Sequence, residues 1–131
     1  MSLSAADRLA ILEVITRADE AASRRDADGY VALFAPDAVL DGTQGRHAGR
    51  EELRASVGPI WAAEGPATLH LTLNPVIEPG PGSDQAVARS VLLIIDATSP
   101  PALRTAAAIT QELRREGGSW LIARRTVAPA P

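Results

Sequence analysis

The sequence predicts an α+β domain in which a curved antiparallel sheet wraps around helices that come first in the chain. Three observations predict it. Apolar residues recur at helical spacing up to about Gly65, and from Thr68 onward they alternate as in strands. The strand-like runs are separated by Pro79-Gly80-Pro81-Gly82-Ser83, Ser99-Pro100-Pro101 and Gly117-Gly118, three short breaks that imply an antiparallel meander. The runs also exceed the five or six residues of a typical strand, and long twisted strands curl. A curled sheet with helices on its concave face encloses an apolar pocket. Helices first and strands afterwards separate this class from alternating α/β folds.

Each element has its own justification. Ser4-Ala5-Ala6-Asp7 has the form of a capping box with aspartate in place of glutamate, opening a helix to about Arg25. Leu9, Ile11, Leu12, Val14, Ile15, Ala18 and Ala22 supply its apolar arc, and at about 100° per residue Asp19 projects at the edge of that arc. Asp19 is read either as the partner of a rim arginine, Arg8 or Arg89, or as a carboxylate at a pocket mouth. Asp26 is an N-cap for a short helix carrying Tyr30, Leu33 and Phe34 on one face. Pro36 disfavours helix at Ala35, Asp37 is a turn residue, and Asp37-Ala38-Val39-Leu40-Asp41 alternates as a strand. The stretch 42–49, rich in glycine and polar groups, is expected to be a surface loop with His47 in solvent. Arg50-Glu51-Glu52-Leu53 starts a third helix, kinked at Gly58-Pro59 and ended by Gly65-Pro66, with Leu53, Val57, Ile60 and Trp61 on its apolar face. The four strands are expected over 67–78, 85–98, 103–116 and 119–127, with residues 128–131 frayed.

Composition narrows the chemistry. At 131 residues and 46% apolar the chain suits one domain, here taken as residues 1–131. Without cysteine there is no thiol nucleophile and no disulfide, and all 13 basic residues are arginine, which removes Schiff-base chemistry and a phosphate-binding lysine loop. A net charge of -3 with four aromatic residues argues against a nucleic-acid surface. The aliphatic run Val91-Leu92-Leu93-Ile94-Ile95 is far below the roughly 20 residues that cross a bilayer, and the N-terminus lacks a signal pattern, so a cytoplasmic protein without membrane contact is expected. His47 and His70 have no ligand pattern around them, so neither metal nor cofactor is expected.

His70, Thr72 and Asn74 alternate with Leu69, Leu71 and Leu73 and so share one strand face, facing either cavity or solvent. A cavity histidine suits proton transfer near neutral pH when a carboxylate fixes its tautomer, and Asp19, Asp41 and Asp96 are the partners on offer. Tyr30, Phe34, Trp61 and Asn74 are the candidate substrate-binding residues, with Tyr30 read as core rather than as a general acid.

Helix, Arg24-Arg25-Asp26, Tyr30-Val31-Ala32-Leu33-Phe34-Ala35-Pro36-Asp37-Ala38-Val39-Leu40-Asp41, Gly49-Arg50-Glu51-Glu52-Leu53, then four long strands closing on Trp120 and Arg124-Arg125, resembles the SnoaL-like branch of the nuclear transport factor two-like superfamily. The resemblance covers nearly the whole chain and implies a cystatin-like cone of sheet around a cavity. That family includes polyketide cyclases, dehydratases, ketosteroid isomerases, epoxide hydrolases and proteins with no known reaction. By the resemblance, Ala18 stands where dehydratases and isomerases carry a helix tyrosine, and Ser23 where dehydratases carry an aspartate. Gly42, beside Asp41, aligns with the general-base aspartate of ketosteroid isomerases, and His70 matches a histidine that several members carry. Two functions stay open. One is a cofactor-independent isomerase, cyclase or dehydratase acting on a small apolar or polycyclic molecule, with His70 as acid or base and Asp19 or Asp41 in support. The other is a non-catalytic ligand-binding or dimerisation module. Both imply a homodimer through the apolar outer sheet face.

Overall fold

The computed structural model describes residues 2–130. Its elements are α1 (Ala5–Ser23), α2 (Ala27–Val31), β1 (Phe34–Gly42), β2 (Gly45–Ala48), α3 (Arg50–Glu64), β3 (Thr68–Pro79), β4 (Gln85–Asp96), β5 (Ala102–Glu116) and β6 (Ser119–Pro129). The strands form one six-stranded sheet in the order β2-β1-β6-β5-β4-β3. From β3 to β6 it is the expected antiparallel meander; β1 adds to β6 in parallel, so the whole is a mixed sheet. Interruptions of register at Phe34/Val39, Leu73/Val76, Ile94/Ile95 and Glu112/Leu113 bend the strands, as bulges do.

The caps form as their sequences require. The Ser4 hydroxyl accepts from the Asp7 N–H at 3.0 Å, and the Asp7 carboxylate accepts from the Ser4 N–H at 3.3 Å. The Asp26 carboxylate accepts from the Gly29 N–H at 2.9 Å. Ile11, Ile15, Ala18 and Ala22 of α1 are buried with Phe34, Leu113, Trp120 and Ile122, which together fill the space between helices and sheet. Leu9, expected in that arc, is exposed.

Three local expectations change. The stretch 42–49 is a hairpin rather than a loop: Gly42 pairs with Gly45 across the two-residue turn Thr43-Gln44, and Val39 pairs with Ala48. His47 is consequently half-buried on β2 instead of free in solvent. Helix α3 runs through Pro59 and ends at Glu64, before Gly65-Pro66 as expected, although proline cannot supply the N–H that Ala55 O would accept. Ala128 and Pro129, expected to fray, pair with Ala108 and Ala107, while Pro131 lies outside the described residues. No helix among the described residues is long and apolar enough to cross a membrane.

Candidate active site

A cavity of about 230 Å³ opens between α3, the β1–β2 hairpin and the concave face of β4–β6. Its apolar wall includes Leu40, Val57, Ile60, Trp61, Leu92 and Val127, and its polar lining includes Tyr30, Glu64, His70, Arg104 and Arg125. Strand alternation puts His70 on this face, with Leu69 and Leu71 turned outward.

His70 meets a carboxylate, and that carboxylate is Glu64. His70 Nε2 lies 2.7 Å from Glu64 Oε1, with the side chains 11% and 10% exposed. The same Oε1 accepts from the Thr68 hydroxyl at 3.2 Å and from Arg25 at 3.4 Å. Arg25 also donates to Gly65 O at 2.8 Å, Thr68 Oγ1 at 2.7 Å and Ala22 O at 3.3 Å. Its backbone is left-handed at φ 60°, a cost for a residue with a Cβ, and the multiple bonds of its guanidinium offset that cost. Ser23 fixes the strand itself, its hydroxyl accepting from the His70 N–H at 2.9 Å. Among the described residues His70 Nδ1 has no hydrogen-bond partner, so a tautomer with Nε2–H donating to Glu64 would leave Nδ1 to take a proton.

Asp19 sits beside this network. Its two oxygens accept from the Thr72 N–H at 2.7 Å and the Thr72 hydroxyl at 2.9 Å, and Arg125 stands 3.8 Å away. Burial raises its pKa above the ordinary carboxylate value, opposed by Arg125, the two Thr72 bonds and His70. Neither arginine considered from the sequence reaches it: Arg8 donates to Ile77 O and Arg89 pairs with Glu78. Arg125, 5% exposed, donates to the Tyr30 hydroxyl at 2.6 Å.

Several predicted site residues lie elsewhere. Leu40 and Gly42 face the cavity, so Asp41 points to the opposite side of β1 and pairs with Arg124 at 3.2 Å. Asp96 caps the end of β4 by accepting from the Thr98 N–H at 3.0 Å and the Thr98 hydroxyl at 2.8 Å. Asn74 falls in the bulge between Leu73 and Val76 with φ 56°, which breaks its alternation with His70 and leaves it exposed. Helix α2 ends at Val31, so Phe34 begins β1 and its fully buried ring packs 4.9 Å from that of Tyr30, in the core rather than on the pocket wall. Tyr30 and Trp61 do line the cavity, edge to face at 5.2 Å.

Glu64, Arg25 and Arg125 were not singled out in the sequence. Glu64 had a signal: with Val57 and Trp61 it falls at i, i+4 and i+7, on the buried stripe of α3. Among the described residues no group of three or more His, Cys, Asp or Glu side chains is gathered to hold a metal ion.

Known proteins agree with this architecture. The family model for a SnoaL-like domain matches residues 4–126. A protein of unknown function with a cystatin-like fold from Nostoc punctiforme superposes with a TM-score of 0.91 at 27% identity, covering 100% of this chain and 96% of that one. An NTF2-like protein with a cystatin-like fold from Novosphingobium aromaticivorans gives 0.80 at 22% identity, covering 94% and 81%. A second protein from that organism, provisionally named a scytalone dehydratase, gives 0.81 at 18% identity, covering 96% and 85%. No curated protein matches the chain by sequence. With the family model spanning α1 to β6 and the same fold in each of these structures, the chain belongs to the family of SnoaL-like domains.

Proposed function

We propose that the protein is a cofactor-independent acid/base enzyme that moves a proton on a small, largely apolar molecule held in the cavity. The observation that carries this reading is the 2.7 Å contact between His70 Nε2 and Glu64 Oε1 at the cavity wall. Glu64 fixes the tautomer in which Nδ1 accepts, and stabilises the imidazolium once the proton has moved. Isomerisation, cyclisation and dehydration all require such a transfer, and the dehydratase name of one structural neighbour lies within that range. Tyr30 and Trp61 form the wall against which the substrate packs, and Asp19 supports Arg125 and Thr72 rather than touching His70.

A thermal-shift screen of apolar small molecules, followed by turnover assays of the hits, tests the reading. His70→Ala is expected to lower turnover by about 10²- to 10⁴-fold while leaving binding in place. Unchanged turnover removes His70 from the mechanism.

The second reading, a binding module without catalysis, is favoured by Ala18, Ser23 and Gly42, which bring no acid or base to the positions where relatives have one. Hits that bind and are never turned over would favour it.

The proposal extends to a homodimer through the outer sheet face. Its support is the exposed apolar set Leu69, Leu73, Val76, Val91 and Leu103 on β3, β4 and β5, where Leu73 lies opposite Val91. Light scattering at micromolar concentration is expected to give the mass of two chains, and Val91→Glu the mass of one. A single-chain mass for the wild type overturns the dimer.

A further inference from the structure

Four buried side-chain atoms have no hydrogen-bond partner among the described protein groups: Ser90 Oγ, Gln111 Nε2, Gln111 Oε1 and Arg125 Nε. They are neighbours. Gln111 on β5 is the cross-strand partner of Arg125 on β6. On its other side Gln111 pairs with Ala88, two residues from Ser90 and on the same face of β4. Cross-strand and diagonal positions of this kind lie about 5 to 8 Å apart, so the three side chains form one patch on the concave face. Of the three, Arg125 lines the cavity, while Gln111 and Ser90 lie behind it in the buried layer.

The patch is rich in donors and carries a fixed positive charge. Arg125 has five N–H donors, and its recorded hydrogen bond goes to a neutral phenol, Tyr30. Its nearest carboxylate, Asp19, is beyond hydrogen-bond distance at 3.8 Å and has both oxygens engaged by Thr72. A buried guanidinium without a hydrogen-bonded counter-ion is unfavourable. The rest of the lining does not supply one. Arg104 adds a second cation at the mouth, and Glu64 is already shared by His70, Thr68 and Arg25.

We propose that the cavity takes a small apolar acid, whose carboxylate is received by Arg125 while its apolar body lies against Trp61, Ile60 and Leu92. This deepens the enzymatic reading, and rests on it for the identity of the cavity as the substrate site. A carboxylate matches the planar fork of a guanidinium. A neutral carbonyl would use the donors but leave Asp19, at 3.8 Å and not hydrogen-bonded, as the nearest anion to the charge. One guanidinium in the patch suits a singly charged group rather than a phosphate.

Titration calorimetry near pH 7 with benzoate and cyclohexanecarboxylate, against benzamide and cyclohexanemethanol, tests the proposal. The acids are expected to bind the wild type at least about tenfold more tightly than the neutral partners, and Arg125→Gln is expected to abolish the difference. Arg125→Met, which keeps much of the side chain's length without its charge, is a second variant for the case in which Arg125→Gln does not fold. It is expected to abolish the acid preference and to leave the neutral compounds unchanged. Equal binding of acids and neutral partners, failure of both acids to bind, or an acid preference that survives whichever of the variants folds overturns the inference. His70→Gln separates the two readings. Acid preference with no turnover found sinks the enzyme and keeps the acid site, whereas turnover of a neutral substrate indifferent to Arg125→Gln does the reverse.

Discussion

Glu64 Oε1 stands 2.7 Å from His70 Nε2, joining the last residue of α3 to the third residue of β3 across the Gly65–Ala67 connection. In the proposed mechanism the pair sets the proton on Nε2. Glu64→Gln is expected to remove that bias, giving a mixture of His70 tautomers where the wild type has Nε2–H, read from imidazole ¹⁵N shifts. Loss of the anion facing Arg25 is expected to lower stability by about 1 to 3 kcal/mol, seen in denaturant melts. A His70 spectrum identical to wild type would show that Glu64 does not fix the tautomer.

Asp19 gives a pH dependence of definite sign. Its pKa is raised from the ordinary 3.8, chiefly by burial, so the folded state binds this proton more tightly than the unfolded chain. Its contribution is therefore fully present below 3.8 and is lost as pH rises through the folded value. Asp7, Asp37, Glu78 and Asp96 act in the opposite sense, since hydrogen-bonding partners lower their pKa values. The difference between wild type and Asp19→Asn isolates the effect. Urea melts from pH ~3.5 to ~7 are expected to show wild type losing stability relative to Asp19→Asn as pH rises.

Gln111 is fully buried with neither amide atom partnered. Gln111→Met is expected to raise stability by about 1 kcal/mol, because it removes a buried polar group without opening a cavity. A melting temperature equal to or below wild type would mean that the amide is satisfied in solution.

Tyr30 joins the core to the charged patch. Tyr30→Phe keeps the ring packed between Phe34 and Trp61 but takes the hydroxyl from Arg125 NH1. A loss of about 1 to 3 kcal/mol is expected in thermal or denaturant unfolding, with the fold retained by circular dichroism. A neutral result would show that Arg125 finds another acceptor.

Helix starts, the meander and the alternation that puts His70 and Thr72 on one face were legible because each depends on local chemistry: a capping serine, an Asp26 carboxylate, a period of two. What escaped depends on register. Leu40 inward forces Asp41 outward, and nothing within Asp37–Asp41 says which residue faces in. Arg124 and Arg125 are alternatives of the same kind, decided by the shift at Glu112/Leu113. The bulge after Leu73 removes Asn74 from a face on which strict alternation would keep it. Glu64 was visible on the apolar stripe of α3, but a carboxylate just before Gly65-Pro66 reads equally well as a solvated helix end until β3 is laid across it.

The parallel pairing of β1 with β6 has a consequence for the order of assembly. During synthesis β1 emerges early, with one edge covered by the β2 hairpin and the other unpaired until Ile122, Arg124 and Arg125 arrive some eighty residues later. Contacts so distant in sequence form slowly, and an open strand edge is exposed to wrong partners in the interval. The same late strand delivers Arg125 to the cavity. A nascent chain that has reached β5 thus has the residues of the His70–Glu64 pair but not the guanidinium beside it, so the cavity wall is complete only when β6 has been added.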